Sequence, residues 1–378
     1  MDQIDPPSFN AASSEIMILD PMGDMVLAVS DTQSATKRFQ VSHKVLCLAS
    51  PVFEKLFTSG FLEGLRLRNN LSSRSVQEGN DAHELEQIDI KEDNIIAMEQ
   101  ILLALHFRNT DVAVSMEPED LANLAIHCDK YDLCRALKPW ISVWCDETPE
   151  VQSSSQLGLQ VLAAYLFRSE NFTGITARAI KQLHPKFVSE WEAEDMMTLL
   201  PLTIKRTLYR IYMSKIILTN IDTLSDRLRH AIEKLESEVQ STEGRLRIHG
   251  SVYTMNGRMC LNCGRVHPDE AKKCHPCNSA EFIGWHCTRE YRVAEYFATL
   301  QRHGLWPSKV TFKSDSLDDM KTRFTNAKAD HRHQCSARSS CPLKHALDDL
   351  ANRAQKIIET VKGVSLDGSI SISTTVVT

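Results

Sequence analysis

No run of this 378-residue chain approaches the ~18 consecutive apolar residues that a membrane-spanning helix requires. The opening MDQIDPPSFN is acidic and proline-bearing, unlike a secretory signal or an arginine-rich transit peptide. Compact Lys/Arg clusters are also missing, so the expected compartment is cytoplasm, nucleus or both, with nothing favouring the nucleus. Signatures of common catalytic folds are equally scarce. There is no phosphate loop ending in Gly-Lys-Ser/Thr, no G-x-G-x-x-G after a strand, no H-E-x-x-H and no G-x-S-x-G elbow. A cytidine-deaminase site needs Pro-Cys-x-x-Cys, and here Pro276-Cys277 is followed by Ala280. These absences predict a non-catalytic protein.

The length suffices for two or three domains, each with its own core, and the apolar content of 42% is that of an ordinary soluble protein. Eleven cysteines are present, and seven of them fall between Cys260 and Cys341. Without a secretory route such a cluster reads as metal-binding rather than disulfide-forming. The formal charge is -6, yet the segment Gly250–His345 holds 15 Lys/Arg against nine Asp/Glu. Thiolates on a zinc ion would offset part of that excess, which is too small to predict a nucleic-acid surface.

The densest pattern lies between Gly23 and Gly64. Met25 to Val29 is an unbroken apolar run, as in a strand buried on both faces. Polar Ser30 to Lys37 carries a turn, and Phe39, Val41 and His43 alternate as a second strand would. Ser50-Pro51 then supplies an N-cap and a first-turn proline, before Val52, Phe53, Leu56 and Phe57 repeat at helical spacing. In order and residues this stretch resembles the BTB/POZ domain: Gly23-Asp24, Val41-Ser42-His43-Lys44, Leu46 to Ser50-Pro51-Val52-Phe53, then Phe57. A third strand over Leu85–Ile90 and a helix over Ile95–His106 extend the likeness. Asp129–Asp132 (Asp-Lys-Tyr-Asp) and Pro139-Trp140 with Trp144 are similar to the fungal branch of that family.

The resemblance implies an α+β fold, a short mixed sheet flanked by helices over residues 17–145. It also implies a module that self-associates as a homodimer and that, in many members, bridges a cullin ubiquitin-ligase scaffold to a substrate. The family's cullin contact is an apolar-x-Glu triplet, and Phe61-Leu62-Glu63 stands at the matching place. The alternative is that Phe61 packs beneath the polar stretch that follows, Leu65–Ala82, which lacks periodicity and is expected to be a flexible insertion.

Further along, Leu121, Leu124, Ala125 and Cys128 share one helical face, which makes Cys128 a core residue. Glu147–Gln156 reads as a linker, and residues 157–247 as a helical region. Within it, Val161-Leu162 with Tyr165-Leu166 form one amphipathic stretch, and Leu208, Ile211 and Tyr212 belong to another. Ile221, Leu224, Leu228 and Leu235 fit heptad positions, but Ala231 and Glu238 fill two others, which favours an ordinary packed helix over a coiled coil. Residues 250–363 form the Cys/His-rich region. In it a helix begins near Trp285 and stops at Gly304, and a last helix runs from Pro342 to Lys362 before Gly363. Residues 364–378 are expected to form a flexible tail.

Cys260-Leu-Asn-Cys263-Gly264 and Cys274-His-Pro-Cys277 are paired C-x2-C knuckles, which suit one tetrahedral structural zinc. Nothing after Cys277 supplies the closing pair of a cross-braced RING, and a four-thiolate zinc leaves no open position for substrate. A second, looser constellation predicts another zinc. Cys341 and His345 are one helical turn apart, and Cys335 with either His331 or His333 lies in the loop before them. Cys287 shares a helical face with Tyr291 and Ala298, which favours a core cysteine over a ligand. Two functions therefore compete: a BTB-based adaptor or scaffold, and a zinc-containing transcription or chromatin factor that uses BTB to dimerise. The mild charge and the lack of a basic recognition helix weigh against the second.

Overall fold

The computed structural model describes residues 15–33, 35–58, 60–76, 85–146, 153–201, 204, 224–308, 312, 314–330, 332–364 and 366. It divides into two compact units, Met1–Phe172 and Thr173–Thr378. No helix among the described residues is long and apolar enough to cross a membrane.

The first unit opens with a mixed sheet: β1 (Ile16–Ile18), β2 (Met25–Ser30), β3 (Thr36–Val41) and β4 (Glu86–Lys91), in the order β1-β3-β2-β4. β2 lies antiparallel to β3 and parallel to β4, with its first five residues buried, as an unbroken apolar run requires. The helices are α1 (His43–Ala49), α2 (Pro51–Thr58), α3 (Leu62–Val76), α4 (Ile95–Leu105), α5 (Pro118–Lys130), α6 (Lys138–Asp146) and α7 (Ser154–Leu166). α7 packs on α5 within this unit, whereas the sequence grouped it with the helices that follow.

His43, which the alternation placed in a strand, instead opens α1. Asp24 accepts its backbone N–H at 2.8 Å and meets its ring Nδ1 at 2.5 Å, so the Gly23-Asp24 and His43 signatures form one contact. A Cβ on Gly23 would stand 2.8 Å from the carbonyl oxygens of Asp20 and Val41, so only glycine fits that crossing. Ser50 accepts the Phe53 N–H at 3.1 Å, capping α2, and donates its hydroxyl to the Tyr131 carbonyl at 2.6 Å. Leu65–Ala82, expected as a flexible insertion, is helical as far as Val76 because Leu67 anchors α3 in the core at 1% exposure. Residues 77–84 lie outside the described ones.

The Asp-Lys-Tyr signature has a structural cause. Asp93 is 1% exposed, and its carboxylate takes Tyr131 Oη at 2.5 Å, Lys130 Nζ, and His127 Nε2 at 3.3 Å. Burial pushes this carboxyl up, but those donors outweigh it and hold the pKa at about 2. The network joins the end of α5 to the loop after β4. Cys128 is fully buried in the same region, as its helical face implied.

The second unit contains α8 (Phe172–Gln182), which starts at the boundary, α9 (Phe187–Glu192), a 3-10 turn over Asp195–Leu199 and α10 (Leu224–Ile248). An antiparallel sheet follows, β5 (Tyr253–Cys260), β6 (Val266–His267) and β7 (Phe282–Cys287), in the order β6-β5-β7. It ends with α11 (Arg289–Arg302), α12 (Leu317–Lys328) and α13 (Pro342–Glu359). α10 is an ordinary packed helix: Leu228, Ala231, Leu235, Val239, Thr242 and Leu246 are buried, and it rests on α11 and α13. Leu208, Ile211, Tyr212 and Ile221 lie outside the described residues, as do Glu147–Gln152 of the expected linker; Ser153 caps α7 instead.

α13 buries Leu343, Leu347, Leu350, Ala351, Ala354 and Ile358, and each buried Leu contributes roughly 1.5–3 kcal/mol. The helix stops at Glu359, three residues short of the expected Lys362. Gly304, at φ +66°, ends α11 as predicted, with Leu305 N–H returning to the Leu300 carbonyl at 2.7 Å. The expected tail begins ordered. Val364 is 2% exposed and donates its N–H to the Thr176 hydroxyl on α8 at 2.9 Å. A Cβ on Gly363 would fall 1.8 Å from the Thr173 carbonyl oxygen, so close approach, and not helix termination alone, demands glycine there. Residues 367–378 lie outside the described ones.

Candidate metal centre

The first knuckle leaves the end of β5 and the second precedes β7, so the hairpin delivers both pairs to one point. Their backbones are the same turn twice. Cys260 N–H bonds the Arg265 carbonyl at 2.9 Å and Gly264 N–H bonds the Cys260 carbonyl at 2.9 Å. In the second, Cys274 N–H bonds the Ser279 carbonyl at 2.8 Å and Asn278 N–H bonds the Cys274 carbonyl at 2.7 Å. Each turn needs a left-handed residue just after its second cysteine, supplied by Gly264 at φ +70° and Asn278 at φ +56°.

Across the turns Cys260 Sγ lies 3.5 Å from Cys277 Sγ, and Cys263 Sγ lies 3.4 Å from Cys274 Sγ. All four sulphurs fall within 4.8 Å of one another. Cys277 is lowered to about 6, chiefly by the Ser279 backbone, while desolvation raises Cys274 to about 12. A group already holding one thiolate among thiols is what a soft divalent cation would deprotonate fully.

A second group gathers Cys287 at the end of β7, His333 and Cys335 from the loop after α12, and Cys341 at the N-cap of α13. His333 Nε2 stands 3.2 Å from Cys341 Sγ and 3.5 Å from Cys287 Sγ, and all four ligand atoms lie within 4.8 Å. Hydrogen bonding from Cys287 first, then from His333 and the backbone of Lys344 and Leu343, holds Cys341 at about 3. Cys287 is pushed up, chiefly by its hydrogen bond to that same thiolate.

The membership differs from the sequence expectation at two places. His345 does not join: it is exposed, and its backbone N–H is spent on the Cys341 carbonyl at 3.0 Å inside the helix. Cys287 does join, because residues 282–287 are strand rather than helix and the strand end points it away from the helical face assumed for it. Of the two histidines left open, His333 is in the group and His331 lies outside the described residues.

Two supports were not legible. Arg292 is fully buried on α11 and donates to the carbonyls of His249 at 2.5 Å, Ser251 at 2.8 Å and Cys287 at 3.0 Å. The same guanidinium lies 3.8 Å from Cys287 Sγ, a fixed cation beside the thiols. Paired strand-like bonds, Asn256 N–H to Gln334 O at 3.0 Å and Ser336 N–H to Thr254 O at 2.7 Å, fix the Cys335 loop against β5. Nothing in the local sequence marks Arg292 as buried.

On the first unit, Phe61 is 61% exposed just before α3, with Leu62 and Leu65 also exposed and Glu63 in the first helical turn.

The family model of the BTB/POZ domain matches residues 19–136, which run from just after β1 through β2–β4 and α1–α5 and take in the Asp93 network. That region is a BTB/POZ domain, a protein-interaction module, followed by helices and a Cys/His-rich segment with two groups that could hold a metal ion such as zinc. No curated protein matches the chain.

Proposed function

We propose that this protein is a non-catalytic adaptor of the cytoplasm or nucleus, which self-associates through its BTB/POZ domain and docks on a cullin ubiquitin-ligase scaffold. The observation that carries the reading is the exposure of Phe61 at the start of α3, beside exposed Leu62 and the Glu63 carboxylate. An aromatic anchor with a polar rim is the composition of a small binding hot spot. The paired knuckles hold a structural zinc through Cys260, Cys263, Cys274 and Cys277, and the region they organise presents the surface for a substrate or partner.

The test is a pull-down of the full chain with purified cullin, wild type against Phe61→Ala combined with Glu63→Ala. Loss of a hot-spot aromatic costs about 2 kcal/mol or more, so binding should fall by roughly 30-fold or further. A folded, zinc-loaded wild type that does not bind the cullin removes the adaptor role. Salt-sensitive retention on DNA by that same sample would favour the transcription-factor alternative.

A further inference from the structure

The second Cys/His group draws its four residues from three separate places in the fold, and its geometry can be compared with what an ion requires. A zinc with three sulphurs at about 2.3 Å and one nitrogen at about 2.0 Å sets its ligand atoms roughly 3.5–3.8 Å apart. His333 Nε2 sits 3.2 and 3.5 Å from two of the sulphurs, close to that span before any ion draws the set into register. In the knuckle site the corresponding sulphur distances are 3.4 and 3.5 Å, so the two groups are equally compact.

Burial argues the same way. Cys287, Cys335 and Cys341 are 0%, 4% and 1% exposed. Cysteines that merely fill a core scatter among apolar neighbours; here three thiols and a ring nitrogen converge on one point. His333 turns its Nε2 edge to two of the sulphurs, and among the described residues its buried Nδ1 has no hydrogen-bond partner. Three thiolates with a divalent ion leave one net negative charge, and the Arg292 guanidinium stands against Cys287 to meet it. No ligand position remains open, so such an ion would be structural.

We propose that Cys287, His333 through Nε2, Cys335 and Cys341 bind a second zinc ion, and that this ion closes the second unit. The knuckle ion joins residues 260–277, one hairpin. The second joins the end of β7 to the loop after α12 and to the N-cap of α13, the helix that α10, α11 and α12 all touch. Removing it frees α13 at its N-terminus, whereas removing the first ion releases only the hairpin tip. This assignment is independent of which partner the BTB/POZ domain engages.

The test is zinc content of the purified full chain, with X-ray absorption on the same samples. Wild type should hold two zinc ions per chain, with an average shell of about 3.5 sulphurs and 0.5 nitrogen per ion. Cys277→Ser should leave one ion with three sulphurs and one nitrogen, and His345→Ala should keep both. If Cys287→Ser fails to fold, His333→Cys keeps four ligands and should retain two ions while the nitrogen contribution disappears. One ion per chain with an all-sulphur shell in folded wild type, an all-sulphur shell in Cys277→Ser, or loss of an ion in His345→Ala would overturn the assignment.

Discussion

Each unit of this protein gathers buried polar groups from distant parts of its chain, and the two do so in opposite electrical fashion. In the BTB/POZ domain the centre is an anion, Asp93, and the chain itself brings Lys130, Tyr131 and His127 to it. In the second unit the centre is a set of thiols with a guanidinium, Arg292, beside one of them, Cys287. The first knot is complete from the polypeptide alone. The second could take a cation from outside, and under the zinc assignment proposed above its stability is coupled to the supply of a metal as well as to sequence.

The largest expected break in this comparison is chelation. Zinc binding contributes on the order of 10–16 kcal/mol in small zinc folds at neutral pH. A strong chelator should therefore collapse hydrogen-exchange protection across β5, α11 and α13 while β2, α4 and α5 stay protected. Equal loss in both units would show that the difference is illusory.

A smaller effect probes the Asp93 knot. Its pKa is depressed to about 2, so its stabilisation is full above the unfolded value near 4 and is lost as pH falls through about 2. Asp93→Asn should cost about 2 kcal/mol near neutral pH and flatten the stability curve of the BTB/POZ domain between about pH 4 and 2. Urea titrations at several pH values would measure both, read by hydrogen exchange at β2 and α5 because acid also strips metal from Cys/His ligands.

The smallest contrast lies within the knuckle site, where the left-handed position is glycine in one turn and asparagine in the other. A Cβ at Gly264 would meet nothing within 4 Å, so Gly264→Ala is a purely conformational change costing about 1 kcal/mol. Zinc affinity at that site should drop roughly fivefold, and Asn278→Gly should leave it nearly unchanged; competitive zinc titration reads both.

What could be read from sequence follows the range over which each signal acts. Ser50-Pro51, the C-x2-C pairs and the Gly304 stop are local rules, and each appears where it was expected. His43 and Cys287 were misplaced because a single boundary residue decides whether a side chain follows strand or helix geometry, and boundaries are set by tertiary contacts such as Asp24 with His43. α3 was missed for a related reason: one buried anchor, Leu67, holds a mostly polar helix whose Leu62 and Leu65 are exposed. His345 was attractive because it lies one turn from Cys341, yet an N-cap residue points its side chain back over the helix start rather than along the helical face. Arg292 was invisible, since burial of a lone arginine depends on three carbonyls that fold around it.

The joint between Val364 and Thr176 has a consequence for the nascent protein. The BTB/POZ domain with its α7 cover is fully synthesised once Leu166 has emerged, but α8 waits for a partner 188 positions downstream. At typical elongation rates that wait is roughly 10–40 s. Throughout it the first unit can already meet other molecules at the ribosome, while the cysteines of the second emerge one after another with their closing helix still to be made.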